Sequence, residues 1–207
     1  MEQERWEVPN PSGRYVIGID PAAGVGGDDS ALVVLNRTTN NLVFRFHANA
    51  LQPDEFGQQA LRILRYYDQE HENVVEANIE TNHASYVAIL EILREQGGFY
   101  RWYQQEVWDA KRKTFRKNVG FRTHRASRDV LIDDARTIVR NGTIKIRDAK
   151  LIEQMMNFKI IDEKAQAMMG YKDDILFAFM LALQSYKQVP LAETMESYQS
   201  VELEGGW

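Results

Sequence analysis

Tyr15-Val16-Ile17-Gly18-Ile19-Asp20, followed at once by Pro21-Ala22-Ala23-Gly24-Val25-Gly26-Gly27-Asp28-Asp29, is the stretch that decides how this 207-residue chain is read. Five apolar or small positions in a row, mostly β-branched or aromatic, describe a buried strand, and the Pro/Gly cluster behind them ends it. Asp20 therefore stands at the carboxyl edge of a sheet, on a rigid element whose far end is open. Aspartate also ends strands and caps turns for purely local reasons. The stretch alone leaves both readings open, and the rest of the chain has to decide between them.

The composition sets the frame. Hydrophobic residues make up 44% and charged residues 27%, ordinary for a globular domain with a real core. The longest apolar run, Ile175 to Leu183, is about half of what a bilayer span needs. The opening Met1-Glu2-Gln3-Glu4-Arg5-Trp6 is acidic and aromatic, unlike a signal peptide. The absence of cysteine excludes disulfides, thiolate metal sites and cysteine nucleophiles. Net charge is −5, but eight of the 25 basic residues lie between Ala110 and Arg128, where there is no acid, leaving 17 against 30 acidic residues elsewhere. The chain is an acidic body carrying one basic strip, and such local clusters decide polyanion binding more than net charge does.

Residues 1–14, with Pro9, Pro11, Ser12 and Gly13, read as a linker into a domain over 15–188, and residues 189–207 as a flexible acidic tail. After the Tyr15–Asp20 strand, Ala31–Asn36 and Leu42–Ala50 are further strands around the polar turn Arg37–Asn41, predicting an antiparallel meander. Helical spacing follows from Asp54 to about His71, then a strand over Val74–Glu80, a helix stopped by Gly97-Gly98, and an aromatic strand over Tyr100–Val107. That β-α-β-α-β succession predicts parallel strands beside the meander. The basic strip has no strong period and reads as a loop. Ser127 is the expected N-cap of the next helix, which Asn141-Gly142 closes. A short helix over Asp148–Met156, a hairpin from Phe158–Ile161 to Gln166–Met169 and a buried helix over Ile175–Tyr186 complete the domain.

Acidic residues recur where regular elements meet loops: Asp20, Glu80 and the pair Asp173-Asp174. If the first and fourth strands are parallel neighbours, Asp20 and Glu80 leave the same sheet edge. Converging carboxylates raise each other's pKa, and a divalent cation removes that cost. Hard oxygen ligands of this kind suit Mg²⁺ or Mn²⁺. Two such ions about 4 Å apart stabilise both the attacking and the leaving oxygen of phosphodiester cleavage. Each acid has an ordinary alternative as well. The helix dipole favours Asp173 and Asp174 in a first turn, and Glu80 can cap the helix after it.

The segment Gly18-Ile19-Asp20-Pro21-Ala22-Ala23-Gly24 with Asp28-Asp29-Ser30-Ala31, then Ile79-Glu80-Thr81-Asn82, then Lys172-Asp173-Asp174-Ile175-Leu176, resembles the nuclease domain of the large terminase subunit of tailed bacteriophages. Arg128 with Leu131-Ile132, then Asn141-Gly142-Thr143-Ile144, resembles the same family's spacing, and the likeness runs from Tyr15 to Gln188. The resemblance implies a ribonuclease H-like α/β fold, a mixed sheet flanked by helices. It implies an endonuclease that cuts double-stranded DNA during genome packaging, with Mg²⁺ or Mn²⁺, two ions, held by Asp20, Glu80 and Asp174, and Asp173 assisting. The family often has histidine where Lys172 stands, so a phosphate contact replaces any metal role there. It further implies the portal, the small terminase subunit and an ATPase domain of the same full-length protein as partners, no membrane, and work at the procapsid in the host cytoplasm. No Walker motif is present: Gly24, Gly26 and Gly27 lead into Asp28-Asp29, which read mainly as turn formers.

In that frame Lys111, Arg112, Lys113, Arg116, Lys117, Arg122, Arg125 and Arg128, interleaved with Phe115, Phe121 and His124, are candidate DNA-phosphate contacts, as is Lys172. The alternatives are a solvated loop for the strip and, for the chain, a non-catalytic DNA-gripping or portal-docking module, a junction-resolving nuclease of the same fold, or an actin-like ATPase. The last needs a second domain of similar size. His83 reads as an accessory or helix-capping residue.

Overall fold

Alternation along the opening strand sends Tyr15, Ile17 and Ile19 into one apolar cluster and Val16 into another, so the strand is covered on both faces. The computed structural model describes residues 1–22, 29–69, 73–99, 101–161 and 164–188. It contains a sheet of β1 (Glu2–Arg5), β2 (Arg14–Asp20), β3 (Ser30–Asn36), β4 (Asn41–Ala48) and β5 (Val74–Ile79), in the order β1-β4-β3-β2-β5. The meander β2-β3-β4 is antiparallel, and β5 pairs with β2 in parallel, Ile19 opposite Ile79. The mixed sheet is as the sequence predicts.

One face carries α1 (Pro53–Asp68) and α2 (Ser85–Glu91, continued by a π-helical turn over Ile92–Gln96). The other carries α3 (Arg125–Arg140), α4 (Ala149–Met156) and α5 (Asp174–Gln188). The central helix of that layer, α5, is buried from Asp174 to Ser185. Two hairpins stand apart from the sheet: β6 (Gln104–Asp109) with β7 (Thr114–Val119), and β8 (Phe158–Ile161) with β9 (Lys164–Ala167).

Four expectations change. Glu2–Arg5, read as linker, is an edge strand antiparallel to β4. Its cause is Arg45, which is fully buried, donates from Nε to the equally buried Asp148 at 2.8 Å, and meets Glu2 and Glu4 at 3.3 Å each. A buried guanidinium needs carboxylates around it, and β1 supplies two. The strand predicted over Tyr100–Val107 is divided. The stretch 101–103 lies parallel to β5, the chain then leaves as β6 and β7, and Gly120-Phe121 resumes the parallel pairing beside Ile79 and Glu80.

The basic strip is consequently not a loop, since it forms the hairpin turn, β7 and the first turn of α3. Ser127 is not the N-cap. His124 is, and Ser127 completes a capping box from the third helical position. The strip has no readable period because its one strand, β7, is largely exposed and not alternately buried. The predicted tail, 189–207, lies outside the described residues.

Candidate active site

The parallel register of β2 and β5 fixes the first two acids. The Glu80 N–H donates to the Ile19 carbonyl at 3.0 Å, so Asp20 and Glu80 leave adjacent strands at the same edge. Glu80 does not cap the following helix, because α2 begins at Ser85 with Ala84 as N-cap and no side-chain cap bond. The N-terminus of α5 arrives at this edge from the other layer. Asp173 precedes it, its carbonyl accepting the Phe177 N–H at 2.8 Å, and Asp174 opens the helix. The helix can come this close because β2 has Gly18 under it: a Cβ there would lie 1.8 Å from the Ala178 carbonyl oxygen.

Together these segments enclose a cavity of ≈ 150 Å³ whose walls include Asp20, Asp29, Glu80, Asp173 and Asp174. The predicted acids all line one cavity. Asp29, read mainly as a turn former, joins them, while Asp28 lies outside the described residues. The pairing of Asp20 with Ala31 in the β2-β3 ladder puts Asp29 at the same open edge, a register that the antiparallel meander read from the sequence did not specify. His83 also lines the cavity from the loop after β5.

The charges are arranged unevenly. Asp174 is buried, and its Oδ2 has no hydrogen-bond partner among the described residues. Burial first, and the nearby Asp29 second, push its pKa up to about 7, against a lowering by Lys172. Lys172 Nζ lies 3.2 Å from Asp29. Arg128 lies 3.6 Å from Asp173, donates to the Ala165 carbonyl at 3.1 Å, and has its guanidinium 4.2 Å from the Phe177 ring centroid. Of the predicted phosphate contacts, Arg128 is therefore at the cavity and Lys172 at its rim. Lys111, Arg112, Lys113, Arg116 and Lys117 belong to the hairpin instead, and Arg122 and Arg125 are exposed beside the start of α3.

A cavity walled by hard oxygen donors, with one buried carboxylate oxygen unpartnered, fits a small divalent cation. Among the described residues, no three acidic or histidine side chains are placed to hold one metal ion together. The fit is with a hydrated ion of the Mg²⁺ kind, which takes one or two carboxylates and keeps several waters.

No protein family and no curated protein matches the sequence. Solved structures do match. The large terminase nuclease of thermophilic phage G20c, solved with bound magnesium, is 18% identical with a TM-score of 0.67, over 90% of this chain and 87% of that one. The large terminase nuclease domain of Thermus phage P74-26 is likewise 18% identical with a TM-score of 0.67, over 93% and 90%. The terminase nuclease domain of human cytomegalovirus is 15% identical with a TM-score of 0.59, over 83% and 82%. The chain thus has the ribonuclease H-like fold of terminase nuclease domains.

Proposed function

We propose that this chain is a divalent-metal-dependent endonuclease that cuts double-stranded DNA during viral genome packaging, with a nuclease domain that runs to residue 188 and includes β1. The observation that carries the reading is the acidic cavity at the open ends of β2 and β5, with the buried, unpartnered Asp174 oxygen in its wall. The likeness in fold to nucleases solved with bound magnesium or cobalt supports it.

Asp20, Glu80 and Asp174 would share hydrated Mg²⁺ or Mn²⁺, one or two carboxylates to each ion, with Asp173 or Asp29 beside a second ion. When bound, such ions lower the pKa of attacking water and stabilise the leaving oxygen of the phosphodiester. The chain's own residues do the positioning. Gly18 lets α5, which begins at Asp174, lie close against β2, which ends at Asp20. Phe177 and the Ala165 carbonyl fix Arg128, whose fork suits a phosphate oxygen pair. Lys172 supplies a further cation at the rim. Full-length partners in this reading are an ATPase domain, a portal and a small terminase subunit, at the procapsid in the host cytoplasm.

Nicking of supercoiled plasmid tests the proposal: activity with Mg²⁺ or Mn²⁺, none with chelator, none in Asp20→Asn or Asp174→Asn. Unreduced cleavage by both variants would refute it. Duplex binding that survives chelator, with no cleavage in any metal, would make the chain a DNA-gripping module instead.

A further inference from the structure

The hairpin of β6 and β7 has a rigid root and a free blade. At the root, Tyr103 donates to the Ala77 carbonyl at 2.9 Å and Phe121 to the Ile79 carbonyl at 2.8 Å, so both ends are fastened to β5 next to Glu80. Gly120, at a φ of +79°, makes the closest approach: a Cβ there would lie 2.6 Å from the Ile79 carbonyl oxygen. Beyond the root, the ribbon packs extensively on no other element among the described residues.

Near the tip, Trp108 and Phe115 face each other across the strands, ring centroids 5.1 Å apart, and stay 53% and 64% exposed. Cations stand on both sides of them. The turn ahead carries Lys111, Arg112 and Lys113, and the next pair along the same face is Glu106 with Lys117. The other acid of the ribbon, Asp109, is occupied by the turn, accepting from the Lys111 and Arg112 N–H groups at 3.0 and 3.1 Å.

Aromatic surface left open between cations, on a blade rooted beside a phosphodiester-cleaving cavity, matches a partner with a regular row of negative charges and flat apolar faces within reach. Nucleic acid has both. The geometry points to a second nucleic-acid contact: the Trp108–Phe115 pair wedges into a base step of duplex DNA whose phosphates the turn and β7 hold, fixing where the duplex lies relative to Glu80. The inference rests on the nuclease reading for its substrate, and the aromatic pair adds a base contact that phosphate-binding cations alone do not provide.

The test is fluorescence anisotropy of a labelled duplex with the full chain in chelator, so that cleavage plays no part. Trp108→Leu/Phe115→Leu keeps an apolar cross-strand pair and removes the aromatic faces. It should weaken binding about tenfold with an unchanged salt slope. Replacing Lys111, Arg112 and Lys113 by Ala should instead flatten the slope of log K against log salt by about 2 to 3. DNA should quench tryptophan emission in the wild type and not in Trp108→Phe.

Unchanged affinity in the double Leu variant, absent quenching, or no duplex binding at low salt would overturn the inference. So would a change of oligomeric state in that variant at unchanged DNA affinity, which would mark the face as a protein contact. Tight wild-type binding with the expected tenfold loss, but no cleavage in any metal, would sink the nuclease reading alone. Cleavage with unaltered affinity in the Leu variant would sink the hairpin contact alone.

Discussion

Gly18→Ala is the perturbation that most directly tests how this fold sets its candidate site. Gly18 lies on the face of β2 that meets α5, two residues before Asp20 on the same face. An added Cβ would sit 1.8 Å from the Ala178 carbonyl oxygen and 2.5 Å from the Ala182 backbone nitrogen. Both are helix backbone atoms, so no side-chain rotation relieves the contact. Real Cβ atoms essentially never come within 3.0 Å of such atoms. The helix must therefore move by about 1 Å or more, in a layer packed at crystal-like density. Overpacking of this kind costs about 3 kcal/mol, which for a domain of this size lowers Tm by roughly 10 °C. Because Asp174 is the first residue of α5, the same shift moves it away from Asp20, and a misplacement near 1 Å costs about a hundredfold in rate. Thermal unfolding and plasmid nicking read the two effects separately. Ala178→Gly should rescue neither, since the clash is with backbone. A Gly18→Ala protein that melts within a degree or two of wild type and cleaves normally would refute the packing argument, and rescue by Ala178→Gly would show that a side chain was the obstacle.

Other consequences follow from buried charge. Glu76, on β5 away from the cavity, has an Oε1 without a hydrogen-bond partner among the described residues, and burial pushes its pKa up to about 7 despite the lowering influence of Ser185 and Arg37. The fold then binds a proton more tightly than the unfolded chain, so this contribution is fully present below about pH 4.5 and is lost as pH rises through about 7. Urea unfolding at pH 5 and pH 8 should show wild type losing about 2.5 kcal/mol relative to Glu76→Gln, and parallel pH profiles for the two would rule the effect out. Asp174→Asn should raise Tm by several degrees in chelator at pH 8 while abolishing cleavage, because it removes a buried carboxylate whose ionised form the apo fold disfavours; a Tm that falls would mark Asp174 as a structural residue. Asp148→Ala leaves the buried Arg45 guanidinium without its 2.8 Å partner and should cost about 3 to 5 kcal/mol in denaturant unfolding. A loss under about 1 kcal/mol would mean that Glu2 and Glu4 suffice to compensate Arg45.

What was legible in the sequence is what local pattern determines. Apolar runs bounded by turn residues gave β2, β3, β4 and β5, and parallel logic alone put Asp20 and Glu80 at one edge, as the Ile19–Ile79 register bears out. The features that escaped depend on partners far along the chain. β1 has no apolar residue between Glu2 and Arg5, and what makes it a strand is Arg45, itself held by Asp148 more than a hundred positions later. The β6-β7 turn carries no Asn-Gly signal, with Lys113 adopting the left-handed conformation at a φ of 51°. A single aromatic run therefore concealed both a sheet segment and the start of a hairpin. The same division holds in the cavity. Strand ends and a helix start revealed most of its carboxylates, because termini are where sequence marks position. The contacts that balance them, Lys172 on Asp29 and Arg128 between Asp173 and Phe177, join loops and helices across long separations and have no local signature. The acids are thus readable from the chain, while the cations that tune them are set by the fold. Substitutions at Lys172 and Arg128 should accordingly shift the cavity's charge balance without disturbing the strands that carry Asp20 and Glu80.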